Sequence, residues 1–321
     1  MTKKPEGAAE LQAVASIVQR LAVLLAAGVT PSSAWGYLVE VQPSGPTVPP
    51  GLAEPPGVLQ LVVDSIGTGR SVSDAILDAV HGSPATLADA WRGLGAAWFV
   101  ATEAGASLAP TLRDLAGSLR DLAQTGREVQ VAIAAPVATA RMVMMLPVVG
   151  ILFGLALGFD TLRTLFATPL GLSCLLLGAV LMAAARAWNS RLVRAAQPAE
   201  ATPGLAIDLV AIAVGGGASI ARARSAVDEA CARFGLASTG DAETVDGILA
   251  LSQRAGVPAA ALLRSQADEA RRSARNDGAT RAATLAVKLM LPLGLCILPA
   301  FMLLGVAPLL ISVISSTVSA F

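Results

Sequence analysis

Residues 138–147 read Ala-Thr-Ala-Arg-Met-Val-Met-Met-Leu-Pro, and residues 283–292 read Ala-Thr-Leu-Ala-Val-Lys-Leu-Met-Leu-Pro. Ala138, Thr139 and Pro147 therefore recur at the same spacing as Ala283, Thr284 and Pro292, each time where a long apolar run begins. If the two blocks correspond, the chain is a helical unit ending in a membrane helix, made twice. The sequence between them must then bring the chain back across the bilayer.

Composition agrees with a membrane protein. Of 321 residues 54% are hydrophobic and 14% charged, with a mean hydropathy of +0.65, too apolar for a water-soluble chain of this length. A net charge of zero and 4% aromatic residues give no basic, base-stacking surface, so no nucleic-acid partner is expected. Of the 23 Lys and Arg, nine precede the first apolar run, thirteen follow the second, and only Arg163 lies between them. The positive-inside rule then places both polar regions in the cytoplasm. Three cysteines, two inside apolar runs, suggest neither a disulfide framework nor a metal site, and the first residues show no signal-peptide pattern.

Outward from the junctions the chain reads as helices. Leu11, Val14, Ala15, Val18, Leu21, Ala22 and Leu25 line one helical face over residues 10–28. Gly28 ends that helix, and Thr30-Pro31 opens the next with a capping hydroxyl and a proline at the first helical position. Six prolines and three glycines make residues 42–57 a loop. Helical patterns follow at residues 58–66, 72–80, 87–103 and 108–130, the last carrying Arg113-Asp114 and Arg120-Asp121 as a solvated charged face. Residues 142–159 and 164–185 are uncharged runs long enough to cross the ~30 Å hydrocarbon core at 1.5 Å per residue. Further helices are expected at residues 205–214, 220–234, 242–255 and 259–276. An uncharged stretch from residue 289, interrupted by Pro292, Pro299 and Pro308, is expected to form one kinked span and a tail.

These readings predict an all-α membrane protein with two cytoplasmic helical-bundle domains in tandem and three transmembrane helices. Residues 1–135 form the first bundle, 136–188 a membrane hairpin, 189–286 the second bundle, and 287–321 the third span with a short tail. Two further anchors fit the duplication. Gly28-Val29-Thr30 corresponds to Gly217-Ala218-Ser219, and Ala104-Gly105 with Leu112-Arg113 corresponds to Ala255-Gly256 with Leu263-Arg264. Two copies running the same way need one returning helix between them, which leaves the N-terminus inside and the C-terminus outside.

Chemistry is sparse. Gly67-Thr68-Gly69-Arg70-Ser71 lacks the Gly-Lys-Ser/Thr ending and preceding strand of a phosphate loop and reads as a helix-helix turn. His81 is the only histidine, beside a Gly in a turn, and reads as a helix-end residue. No acidic residue lies within the apolar runs, so neither a membrane aspartyl protease nor a charge-coupled carrier is indicated. No enzyme activity and no cofactor are expected. Gly150, Gly154 and Gly158 repeat every four residues in the first run and predict a close helix-helix contact.

Leu24-Leu25-Ala26-Ala27-Gly28-Val29, the Trp91-Arg92 helix, Glu103-Ala104-Gly105, Leu112-Arg113, Ala138-Thr139-Ala140-Arg141, Leu146-Pro147 and Thr168-Pro169-Leu170-Gly171 together resemble the type II secretion system F (GspF-like) family. Within it they look like the TadB/TadC-type branch of Tad (Flp) pilus assembly. The resemblance implies a multi-pass inner-membrane platform protein that couples a cytoplasmic secretion ATPase to pilin or pseudopilin subunits, working as a homodimer or with a paralogous platform protein. It also marks Glu103 as a possible partner contact, since the family's Gly-Glu pair falls where this chain has Thr102-Glu103; the second half has Gln253-Arg254 there. The competing reading is a small membrane transporter or channel subunit.

Overall fold

The computed structural model describes residues 6–41, 57–145, 149–150, 152–153, 156, 166, 168–195, 202–236, 241–308 and 310. Among these every regular element is a helix. The chain divides into two compact units, one of Met1–Arg127 with Pro198–Asn276 and one of Glu128–Gln197 with Asp277–Phe321. The helices are α1 (Glu6–Ala26), α2 (Pro31–Glu40), α3 (Val58–Gly67), α4 (Val72–Ala79), α5 (Ala85–Ala104), α6 (Leu108–Met144), α7 (Pro169–Ala195), α8 (Leu205–Gly215), α9 (Ile220–Phe234), α10 (Asp241–Ala255) and α11 (Ala259–Lys288).

The first unit is organised around α5. Its sequence is rich in Ala, has no run of β-branched residues and is apolar over most of its circumference, with Asp89 and Arg92 on the one half-exposed side, which is the pattern of a helix largely surrounded by others. Around it pack α1 and α4 from one half of the chain and α8 and α9 from the other. Glycines let the neighbours come close: a β-carbon on Gly95 would stand 2.6 Å from the Phe234 ring, and one on Gly93 would stand 3.2 Å from Leu205. Trp35 lies 6.2 Å from Trp91 and 6.1 Å from Trp98 in tilted ring pairs, adding buried area that no smaller residue supplies. Where tandem bundles were expected, Val14, Trp35, Leu94, Leu209 and Phe234 thus belong to a single buried cluster drawn from both halves.

The turns repeat as the sequence anchors do. Gly28 and Gly217 have φ of 87° and 91°, the left-handed region that a side chain resists. Thr30 and Ser219 follow in nearly identical extended conformations, and each hydroxyl accepts from the backbone N–H three residues on, Ser33 and Arg222. Gly105 and Gly256, at φ 66° and 67°, end α5 and α10 in the same way. A third copy of the first turn joins α3 to α4 at Gly69 (φ 89°) and the capping Ser71, at the stretch read from the sequence as a helix-helix turn.

Among the described residues three helical stretches are long and apolar enough to cross a membrane: Gly7–Ala26, Pro169–Val193 and Ala259–Val306. The first is built into the core of the first unit, where Val14, Val18 and Leu21 are fully buried, so its apolar face already has protein against it. Half of the expected first span, residues 142–159, lies outside the described residues, as do Pro147 and residues 311–321.

In the second unit α7 meets the last helical stretch in an antiparallel seam. Leu192 and Val193 pack on Leu285 and Leu289, Ala185 packs on Cys296 and Ile297, and Gly178 faces Leu304. Gly178, Ala185 and Leu192 are seven residues apart, and Gly171, seven before, is buried too. This is the heptad spacing that keeps one helix face on its partner. A β-carbon on Gly178 would stand 2.5 Å from Leu304 Cγ, so the helices touch backbone to side chain there.

The last stretch is not a plain kinked helix. Two π-helical segments, Leu293–Ile297 and Met302–Val306, bracket the short α segment Leu298–Phe301. Each π segment ends two residues before a proline, Pro299 and Pro308. Proline supplies no N–H and its ring crowds the carbonyl four residues back, and the wider i→i+5 turn makes room for it. Pro292, Cys296, Ala300, Leu304 and Pro308 are all buried, at strict steps of four. A regular α-helix would drift about 40° at each such step; the wide turns offset the drift and hold the five on one face.

Candidate functional site

The residues singled out in the sequence take different positions. Glu103 is exposed on the last turn of α5, two residues before the left-handed Gly105. Behind it the backbone is pinned, because a β-carbon on Gly216 would stand 2.8 Å from the Ala104 carbonyl oxygen. Ala138 and Thr139 on α6, and Ala283 and Thr284 on α11, are exposed, whereas Pro292 is buried. Gly150 lies against the last helical stretch, where its β-carbon would meet Phe301 at 3.2 Å and the Gly305 Cα at 3.3 Å. Gly154 and Gly158 fall outside the described residues. His81 closes α4, its Nδ1 3.2 Å from the Asp78 carbonyl oxygen. Among the described residues no group of three or more His, Cys, Asp or Glu is placed to hold a metal ion.

The polar groups of the first unit instead tie helices of the two halves together. Asp114 of α6 pairs with Arg264 of α11 at 3.4 Å, and Asp121 with Arg275 at 4.0 Å, while Arg275 also donates to Thr125 Oγ1 at 3.2 Å. Later residues on α6 meet later residues on α11, so these helices run the same way. Asp114 and Asp121 remain half-exposed, so each pair is worth about 0–1 kcal/mol. The expected solvated face therefore has partners that one strand of sequence cannot reveal. Its only trace is the two-turn spacing of Asp114 and Asp121 opposite basic residues three turns apart.

A deeper pair sits at the start of α8. Asp208 accepts from Arg271 at 2.5 Å, and Arg271 turns its other nitrogen to Asp268. Gly204, in the left-handed region at φ 75°, brings the start of α8 against α11, where a β-carbon would stand 2.9 Å from the Ala267 carbonyl oxygen. Burial raises the Asp208 carboxyl from 3.8 to about 6, against the opposing pull of Arg271. A second clasp joins α4 to α9. Arg233 pairs with Asp74 and lies over the Phe99 ring at 5.2 Å, while the Ser71 hydroxyl donates to Asp74 at 2.7 Å. The Ser71 hydrogen bond leads the effects holding Asp74 below its ordinary 3.8, with Arg233 adding to it against partial desolvation. These groups position helices; none forms a nucleophile-base arrangement.

Residues 17–156, from α1 through α6 and beyond, match the family model described as Type II secretion system (T2SS), protein F. No curated protein and no solved structure matches the chain significantly.

Proposed function

We propose that this chain is a multi-pass inner-membrane platform protein of a Tad/Flp-type pilus or type II secretion-like machine, acting by binding and coupling rather than by catalysis. The match of residues 17–156 to the secretion-system F model carries the reading. The all-helical first unit offers docking mass, and the apolar helices Pro169–Val193 and Ala259–Val306 offer the membrane part. In this reading a cytoplasmic secretion ATPase docks on the first unit, with exposed Glu103 as one contact, and the apolar helices handle pilin or pseudopilin subunits. The N-terminus is cytoplasmic and the C-terminus outside. The protein works as a pair, with itself or with a paralogue, and the glycine face of Gly150, Gly154 and Gly158 supplies a helix contact.

Copurification tests the coupling. Full-length protein extracted from its own membranes is expected to bring down the secretion ATPase, and Glu103→Lys to reduce the yield. A deletion strain is expected to lose surface pili while keeping pilin protein. Normal pili in that strain would overturn the proposal.

A further inference from the structure

In the first unit Arg70, Arg92, Arg233, Arg264, Arg271 and Arg272 each reach a carboxylate, while Arg20, Arg113, Arg222 and Arg254 reach none among the described residues. What sets the second unit apart is where its cations stand. Arg186, Arg191 and Lys288 are exposed, and among the described residues none has a carboxylate within ion-pair distance. Helix α7 contains no Asp or Glu, and neither does the stretch from residue 278 to 308. Among the described residues these cations have no anionic partner, so an anion from outside the chain can take them.

The seam fixes where they stand. Leu192 and Val193 lie level with Leu285 and Leu289, which puts Arg191 and Lys288 at nearly the same height. Trp188, also exposed, lies roughly 5 Å from that level along α7, on the side of the apolar run. The three fall within one headgroup layer, which is about 5–7 Å thick on each side of the hydrocarbon. At 100° per residue Trp188 and Arg191 sit on one flank of the α7 seam line, and Lys288 sits on the matching flank of its own helix. In an antiparallel pair matching flanks face the same side, so these three converge, whereas Arg186 is on the other side of the seam. Val287 and Leu291, near Lys288 in the chain, expose apolar surface, and so does Val180 about 12 Å further along α7. A tryptophan and two long cations at such a boundary satisfy both the acyl edge and the phosphate of a lipid.

We propose that Trp188, Arg191 and Lys288 form a binding site for the headgroup phosphate of an anionic phospholipid, at the membrane boundary where α7 crosses the last helical stretch. The site rests on the membrane part of the proposed function and is independent of any ATPase. It gives the platform a lipid requirement: the two helices are held together at this end by a bound phosphate that neutralises both cations.

The test uses the full-length chain. Flotation with phosphatidylcholine vesicles comes first. Failure to float would remove the membrane reading, and this site with it, whereas flotation leaves the site to be judged alone. The protein is then equilibrated in micelles holding equal phosphatidylglycerol and phosphatidylcholine, purified, and its retained lipid quantified. Wild type is expected to retain phosphatidylglycerol preferentially. Arg191→Gln with Lys288→Gln is expected to lower that preference about twenty- to thirtyfold, from about fivefold per charge, and Arg186→Gln to leave it intact. Equal retention of both lipids by wild type would overturn the site, as would an equal loss in Arg186→Gln. Abolition of the preference by millimolar inorganic phosphate would assign the cations to a free anion instead. Capture of an RNA oligonucleotide with the same variant pattern would assign them to nucleic acid. Both results refute the lipid site.

Discussion

The shared core of the first unit makes a quantitative demand at Gly95 and Phe234. A β-carbon on Gly95 would stand 2.6 Å from one carbon of the Phe234 ring and 3.1 Å and 3.3 Å from two more, so Gly95→Ala must displace a ring that is 1% exposed. Overpacking of this kind costs about 1–3 kcal/mol. Phe234→Leu alone leaves a partial void and costs about 1–2 kcal/mol, less than the roughly 3–5 kcal/mol of full truncation to Ala. In the double variant the added methyl occupies space the ring edge has vacated. Its cost is therefore expected to fall about 1–2 kcal/mol short of the sum of the single costs. The measurement is denaturant unfolding of the full chain in mild detergent, followed by tryptophan fluorescence, since Trp98 lies beside Phe99, whose ring centre is 6.5 Å from that of Phe234. Strict additivity would refute the reasoning, because residues in separate bundles cannot exchange volume.

Other expectations follow from the same geometry. Asp208, raised to about 6 in the folded chain from an ordinary 3.8, makes the folded state hold the extra proton across that window. Stability is thus greatest below pH 3.8 as far as this group is concerned, falls as pH rises from 3.8 to 6, and is level above, a difference of about 3 kcal/mol. Asp208→Asn should remove that slope from a plot of unfolding free energy against pH, and an unchanged slope would reassign it. In the second unit Gly178→Val should destabilise the seam by about 1–3 kcal/mol, with Leu304→Ala restoring part of the loss, as read by thermal aggregation in detergent. In a chain with its native cysteines replaced, Gly178→Cys with Leu304→Cys should cross-link on oxidation. Adding Pro299→Ala should reduce the cross-link at least severalfold, because the wide turn before it is no longer needed. A yield unaffected by Pro299→Ala would show that proline does not set the face.

Much of this was legible in the chain. Helix starts and stops are local chemistry, and Gly28, Thr30, Gly105, Ser219 and Gly256 act through backbone freedom and capping that short sequence windows contain. The apolar part of α7 was equally plain, because residues 164–185 carry no charge and lie between Arg163 and Arg186. The common core was not. Nothing near Phe234 says that it lies on Gly95, 139 residues earlier, and the repeat invited a division that packing ignores. Charges misled for the same reason. Asp114 looks solvated until Arg264 is placed beside it, and Asp208 looks like an ordinary N-terminal acid until Gly204 brings it against α11. The prolines of the last stretch suggested a bend, since sequence shows a missing donor but not the turn that absorbs it.

That absorption makes the last stretch unusual as a mechanical part. Each π segment is a place where the helix holds one residue more than its hydrogen-bond ladder strictly needs. Deleting a residue within Leu293–Ile297 would tighten the turn and leave everything downstream facing as before. Deleting one within Leu298–Phe301 would swing the rest by about 100°. The two segments work like slack links at either end of a short rigid rod. Between them the rod keeps Ala300 on the buried face that Cys296 and Leu304 share.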